Sequence, residues 1–118
     1  MANEGDVTHL ERIQSQVDEN PIVIYMKGTP QSPQCGFSRA AVSHLAETGV
    51  EFAYVNVMED EGVYYNLPAF ADWPTFPQIY FNGELVGGGD IITTMAEDNS
   101  LKDLMEHAVQ THTGGVPQ

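Results

Sequence analysis

Five consecutive apolar residues, Ile22-Val23-Ile24-Tyr25-Met26, stand between two stretches whose apolar residues recur at helical spacing. A strand without polar alternation is stable only where both of its faces are covered, so this run predicts a central strand with helices on either side. Upstream, Leu10, Ile13 and Val17 mark a helix over Val7 to Asp18, with Thr8 and Glu11 spaced as a capping box and Pro21 closing it. Downstream, a loop from Lys27 to Gln34 carries Gly28, Pro30 and Pro33. Ala41, Val42 and Leu45 then mark a helix over Phe37 to Thr48, with Gly49 at its C-cap.

The alternation continues. Phe52 to Val57 reads as a second strand, and Glu59, Asp60 and Glu61 suit the first turn of a third helix that Pro68 ends or bends near Phe70. Phe76 to Phe81 and Glu84 to Val86 flank Asn82-Gly83, a strong hairpin signal, and should pair antiparallel. After the turn Gly87-Gly88-Gly89, Asp90 is placed to cap a helix through about Glu97, and Ser100 to cap a last one through His107. The order α-β-α-β-α-β-β-α-α implies an α/β domain: a four-stranded mixed sheet flanked by about five helices. Residues 7–109 form this domain, preceded by a flexible N-terminus over 1–6 and followed by a disordered tail over 110–118.

Composition narrows the function. Seventeen acidic residues against four Lys and Arg give a net charge of −13, which repels phosphate backbones and anionic membrane surfaces and excludes nucleic acid and membrane as partners. No signal peptide and no apolar run long enough to span a bilayer is present, and a lone cysteine suits a reducing compartment, so a cytoplasmic location is expected. His9, His44, His107 and His112 lack the close spacing of a zinc site, and Met26, Met58, Met95 and Met105 fit core positions.

Cys35 is the only cysteine, and it falls where the loop meets the second helix. A thiol at a helix start faces unpaired N–H groups and the positive end of the helix dipole, both of which favour thiolate. Ser38 takes the second position of a Cys-x-x-Cys pattern, so no internal disulfide can close and any chemistry must borrow a second sulfur. Lys27 is placed to stabilise that thiolate and to pair with a ligand carboxylate. Thr75, Phe76 and Pro77 would expose main-chain groups to an extended peptide, since proline cannot complete a sheet ladder. Gly88, Gly89 and Asp90 open a helix, where N–H groups favour a carboxylate; an Asp N-cap is the simpler role, and both can coexist.

Lys27-Gly28-Thr29-Pro30, Cys35-Gly36-Phe37-Ser38, Trp73-Pro74-Thr75-Phe76-Pro77-Gln78 and Gly87-Gly88-Gly89-Asp90-Ile91, in this order, resemble the monothiol glutaredoxins of the bacterial single-domain type, over roughly Val7 to Val109. The resemblance implies a thioredoxin-like fold with Pro77 in cis. It implies glutathione as ligand, held by Lys27, Thr75, Phe76, Gly89 and Asp90, and a [2Fe–2S] cluster bridged between the two subunits of a homodimer by Cys35 and glutathione. Iron–sulfur acceptor proteins and a BolA-like protein are the partners it implies. Enzymatic activity would be at most weak glutathione-dependent thiol–disulfide exchange. Trp73 is expected either beside the glutathione slot or as an anchor for the Pro77 loop. Two departures stand out: Tyr64 falls where relatives often have an arginine that pairs with a glutathione carboxylate, and Gly89 where some carry a second cysteine or a serine.

Overall fold

A computed structural model of the chain describes residues 2–71 and 75–113, with residues 2–8 as backbone only; Trp73 lies outside the described residues, as does the tail from 114. Among the described residues there are five α-helices: α1 (Ala2–Glu19), α2 (Gly36–Glu47), α3 (Glu61–Ala71), α4 (Gly89–Glu97) and α5 (Leu101–Thr111). Strands β1 (Ile22–Met26), β4 (Ala53–Asn56), β5 (Gln78–Phe81) and β6 (Glu84–Gly87) form one sheet in the order β4-β1-β5-β6; β2 (Gly28–Thr29) and β3 (Ser32–Pro33) pair separately. β1 runs parallel to β4, with Val23 opposite Ala53, and antiparallel to β5, with Ile24 opposite Ile79. This is the mixed sheet expected of a thioredoxin-like fold.

Every residue of β1 is buried, as its unbroken apolar run requires. Alternate side chains serve different layers. Ile22, Ile24 and Met26 pack with Ala41, Val42 and Leu45 of α2, Ile92 of α4, and Leu101 and Met105 of α5. Val23 and Tyr25 pack on the other face with Ile13 and Val17 of α1, Val63 and Leu67 of α3, and Tyr80. Each buried Val, Leu, Ile or Met among them contributes roughly 1.5–3 kcal/mol on leaving water. An Arg12–Asp60 ion pair at 2.6 Å ties α1 to the start of α3.

Several ends differ from the sequence expectation. α1 begins at Ala2, so Thr8 lies inside the helix and cannot be its N-cap. α3, by contrast, runs to Ala71, close to the expected end at about Phe70, with Pro68 inside it. Asp90 is the second residue of α4; the N-cap is Gly88, because the turn from β6 has already closed there. Ser100 holds the N-cap position of α5 without a capping bond, its hydroxyl being drawn instead to Asp98 at 2.6 Å. Met58 is 60% exposed because the 3₁₀ turn Val57–Glu59 carries it away from the core. At the β5–β6 hairpin, Asn82 and Gly83 both adopt positive φ (52° and 82°), as a tight two-residue turn requires.

Candidate functional site

The end of β1 delivers Lys27 to one rim of the sheet, and the chain returns at once through the β2–β3 pair. Gly28 makes this possible: at φ +94°, a Cβ there would run into the carbonyl of Ser32 and come within 2.7 Å of the Gln34 nitrogen. The Gln34 N–H closes the loop on the Lys27 carbonyl at 2.8 Å, and the Gly28 N–H is held by Asn56 Oδ1 at 2.9 Å. The next residue is Cys35.

Cys35 is the N-cap of α2, and its Sγ accepts the Ser38 N–H at 3.3 Å. Ser38 is fully buried, and its Oγ accepts the Lys27 N–H at 3.1 Å while lying 3.4 Å from the Cys35 sulfur. With its oxygen engaged by a main-chain donor, the hydroxyl can turn its proton toward the thiolate. Partial burial would raise the Cys35 pKa. Hydrogen bonds from the Ser38 hydroxyl and from the Ser38 and Phe37 N–H groups, with the charge of Lys27, outweigh it and hold the thiol below its ordinary value. In the sequence, Ser38 reads only as the absence of a second cysteine.

Cys35 opens onto a cleft of about 970 Å³. Lys27, Thr75, Phe76, Pro77, Gly89 and Asp90, singled out from sequence, all line it. The Phe76–Pro77 peptide bond is cis. A side chain at Gly89 would meet the Phe37 carbonyl at 3.5 Å and Pro77 Cγ at 3.9 Å, so the start of α4 packs in ordinary contact with both.

Four further residues of the cleft carried no assigned role in the sequence, although Phe37 and Ile91 stand within its motifs. Phe37, Tyr65, Pro68 and Ile91 also line the cleft, with Phe37 71% and Tyr65 73% exposed. Tyr64 lies between Tyr65 (ring centroids 5.1 Å apart, planes tilted by 44°) and Phe76 (5.7 Å, 39°), making one wall aromatic. Beneath the cis-proline loop, buried Gln78 donates from Nε2 to the Thr75 carbonyl at 3.2 Å and accepts the Tyr80 hydroxyl at 3.0 Å. Burial pushes the Tyr80 phenol up to about 12, so it remains a donor throughout the neutral range. The side chains of β5 thus fix the main chain that faces the thiol.

Comparison with known proteins agrees with this architecture. The family model for glutaredoxins matches residues 22–86. A protein named glutaredoxin 4 from Buchnera aphidicola subsp. Schizaphis graminum is 50% identical over 100 residues, covering 85% of this chain and 94% of its own. Glutaredoxin 4 of Escherichia coli strain K12 is 44% identical over 110 residues, covering 93% and 96%. Among solved structures, a buckwheat glutaredoxin–glutathione complex superposes with a TM-score of 0.78 at 18% identity, covering 90% of this chain and 94% of that one. No helix of the described residues is long and apolar enough to cross a membrane. From the strand that delivers Lys27 to the cis-proline loop facing Cys35, the chain belongs to the glutaredoxin family.

Proposed function

We propose that this chain, a monothiol member of its family, binds glutathione and carries a [2Fe–2S] cluster as cargo between proteins in a reducing cytoplasm. The observation that carries this reading is one thiol per chain, its pKa held below the ordinary value, with no second cysteine. Among the described residues, no group of three or more His, Cys, Asp or Glu side chains is placed to hold a metal. A four-sulfur cluster site therefore needs Cys35 from two subunits and two free thiols, which glutathione supplies. Two exchangeable ligands suit a carrier, since an acceptor protein's cysteines displace them. A BolA-like partner replacing one subunit is a further arrangement of the same site.

The cleft has the volume for a tripeptide and divides its labour chemically. Thr75 and Phe76 offer main-chain groups to an extended ligand. The start of α4 offers an N–H for a carboxylate and the Asp90 carboxylate for an ammonium, which matches the zwitterionic γ-glutamyl end. Lys27 stands on the thiol side, where the glycyl end would lie. The buckwheat relative, of the same fold, is a glutathione complex by its own description.

The test is anaerobic reconstitution with iron, sulfide and glutathione, read by visible absorbance and by mass in size-exclusion chromatography. A coloured dimer that reverts to a colourless monomer on glutathione withdrawal is expected. A colourless monomer that turns over glutathione mixed disulfides would favour a second reading, supported by the accessible thiolate. There, the Cys35 thiolate attacks the glutathione sulfur of a protein–glutathione disulfide and expels the protein thiolate. A second glutathione thiolate then attacks the adduct, releasing oxidised glutathione and regenerating Cys35.

A further inference from the structure

The positive charge that meets an anionic ligand in this cleft belongs to Lys27, the only cationic side chain among the described residues that line it. A lysine ammonium rides on a flexible four-carbon stem, so what the fold can fix is the main chain from which that stem springs. Three hydrogen bonds do so. The peptide group before Lys27 is held through its N–H, which donates to Ser38 Oγ at 3.1 Å. The peptide group after it is held at both ends: the Lys27 carbonyl accepts the Gln34 N–H at 2.8 Å, and the Gly28 N–H donates to Asn56 Oδ1 at 2.9 Å.

Asn56 is brought there by the sheet. It lies opposite Met26 in the last registered pair of β1 and β4, so Gly28 stands two residues beyond that ladder and is nonetheless buried. The Asn56 side chain carries the hold onward where the ladder stops. The same oxygen accepts the Met58 N–H at 3.0 Å and so caps the turn Val57–Glu59. A cap needs only that bond. The bond to Gly28 is additional, and it ties β4 to the peptide that follows Lys27.

Resting on the glutathione reading above, we propose that Asn56 is a positioning residue of this site, clamping the Lys27–Gly28 peptide so that the Lys27 ammonium is presented to a carboxylate of the ligand. Asn56 is not among the residues that line the cleft, and it acts through Lys27.

The experiment is a competition at Cys35 between an anionic and a neutral disulfide. The reduced protein is mixed with equal amounts of glutathione disulfide and bis(2-hydroxyethyl) disulfide. The Cys35 thiolate attacks one sulfur, a new S–S bond forms, and the other half leaves as a thiolate, the supplied disulfide being the oxidant. Mass spectrometry reads the ratio of the two adducts, normalised to a free cysteine peptide, so that changes in the reactivity of the thiol itself cancel. The wild-type chain is expected to favour glutathione. Lys27→Gln should lower the ratio about tenfold, the loss of one charge-assisted pair. Asn56→Ser separates the two bonds: its shorter hydroxyl still accepts the Met58 N–H two residues on but does not reach Gly28. It should lower the ratio about threefold, and should change nothing further when combined with Lys27→Gln. Thermal melting reports that each variant is folded, and Asn56→Thr, with the same hydroxyl, repeats the test. A ratio that Asn56→Ser does not move, or one that it lowers equally with and without Lys27, overturns the positioning role and leaves glutathione binding intact. A wild-type chain with no preference for glutathione overturns the glutathione reading itself.

Discussion

At Cys35 a few short contacts decide the chemistry. With its pKa lowered, the thiol is ionised to a larger extent than an ordinary cysteine at any pH below its normal range, so its alkylation rate should reach half-maximum below the value of a cysteine peptide. Ser38→Ala removes the hydroxyl from the sulfur and strips the Lys27 N–H of its acceptor. The alkylation midpoint should move up toward the ordinary value, and chemical denaturation should show a loss of about 1–3 kcal/mol from the unsatisfied donor. Cys35→Ser, by contrast, should keep the fold and lose the cluster altogether; a mutant that still reconstitutes a glutathione-dependent cluster would remove Cys35 from the ligand set.

Between β1 and α2 the β2–β3 turn is the least tolerant element. Gly28→Ala puts a side chain against main-chain atoms that cannot move without opening the loop, at a φ that L-residues avoid. A loss of about 1–3 kcal/mol in denaturant unfolding is expected, together with a thiol pKa displaced upward as Cys35 loses its register. β5 supplies a pH signature. The Tyr80 phenol titrates near 10 in the unfolded chain but is held protonated to about 12 when folded, so the unfolded state sheds its proton first. Stability should therefore be unaffected by this group below pH 10 and fall as pH rises above it, with phenolate absorbance tracking unfolding. What was legible in the chain follows the same division by range. The apolar run of β1 and the Asn82-Gly83 turn are local signals and were readable, as were the motif residues now found around the cleft. Tyr65 was not, because only the packing of α3 at this rim brings it there; Ile91 and Gln78 stand in the motifs, but their parts in the site follow only from how α4 and β5 pack. Asp90 was misread as a cap because sequence shows that a helix begins nearby but not which turn residue closes it.

Over the whole molecule the dominant quantity is charge. Two copies, each at −13, must meet face to face in the proposed dimer, and only salt relieves their repulsion. Raising ionic strength from about 0.01 M to 0.15 M shortens the screening length from about 30 Å to 8 Å. The cluster-bridged dimer should therefore tighten with salt in sedimentation velocity, and a dimer that loosened instead would point to a charge-complementary interface. Cys35 stands at the head of α2 with its sulfur holding the Ser38 N–H. The lone pairs that receive the Ser38 amide are those a bound metal or a disulfide partner would draw on, so loading the sulfur slackens its hold on that N–H. The deuterium uptake of this single amide is then a gauge, readable in a mixture of forms, of whether each molecule is empty or carrying.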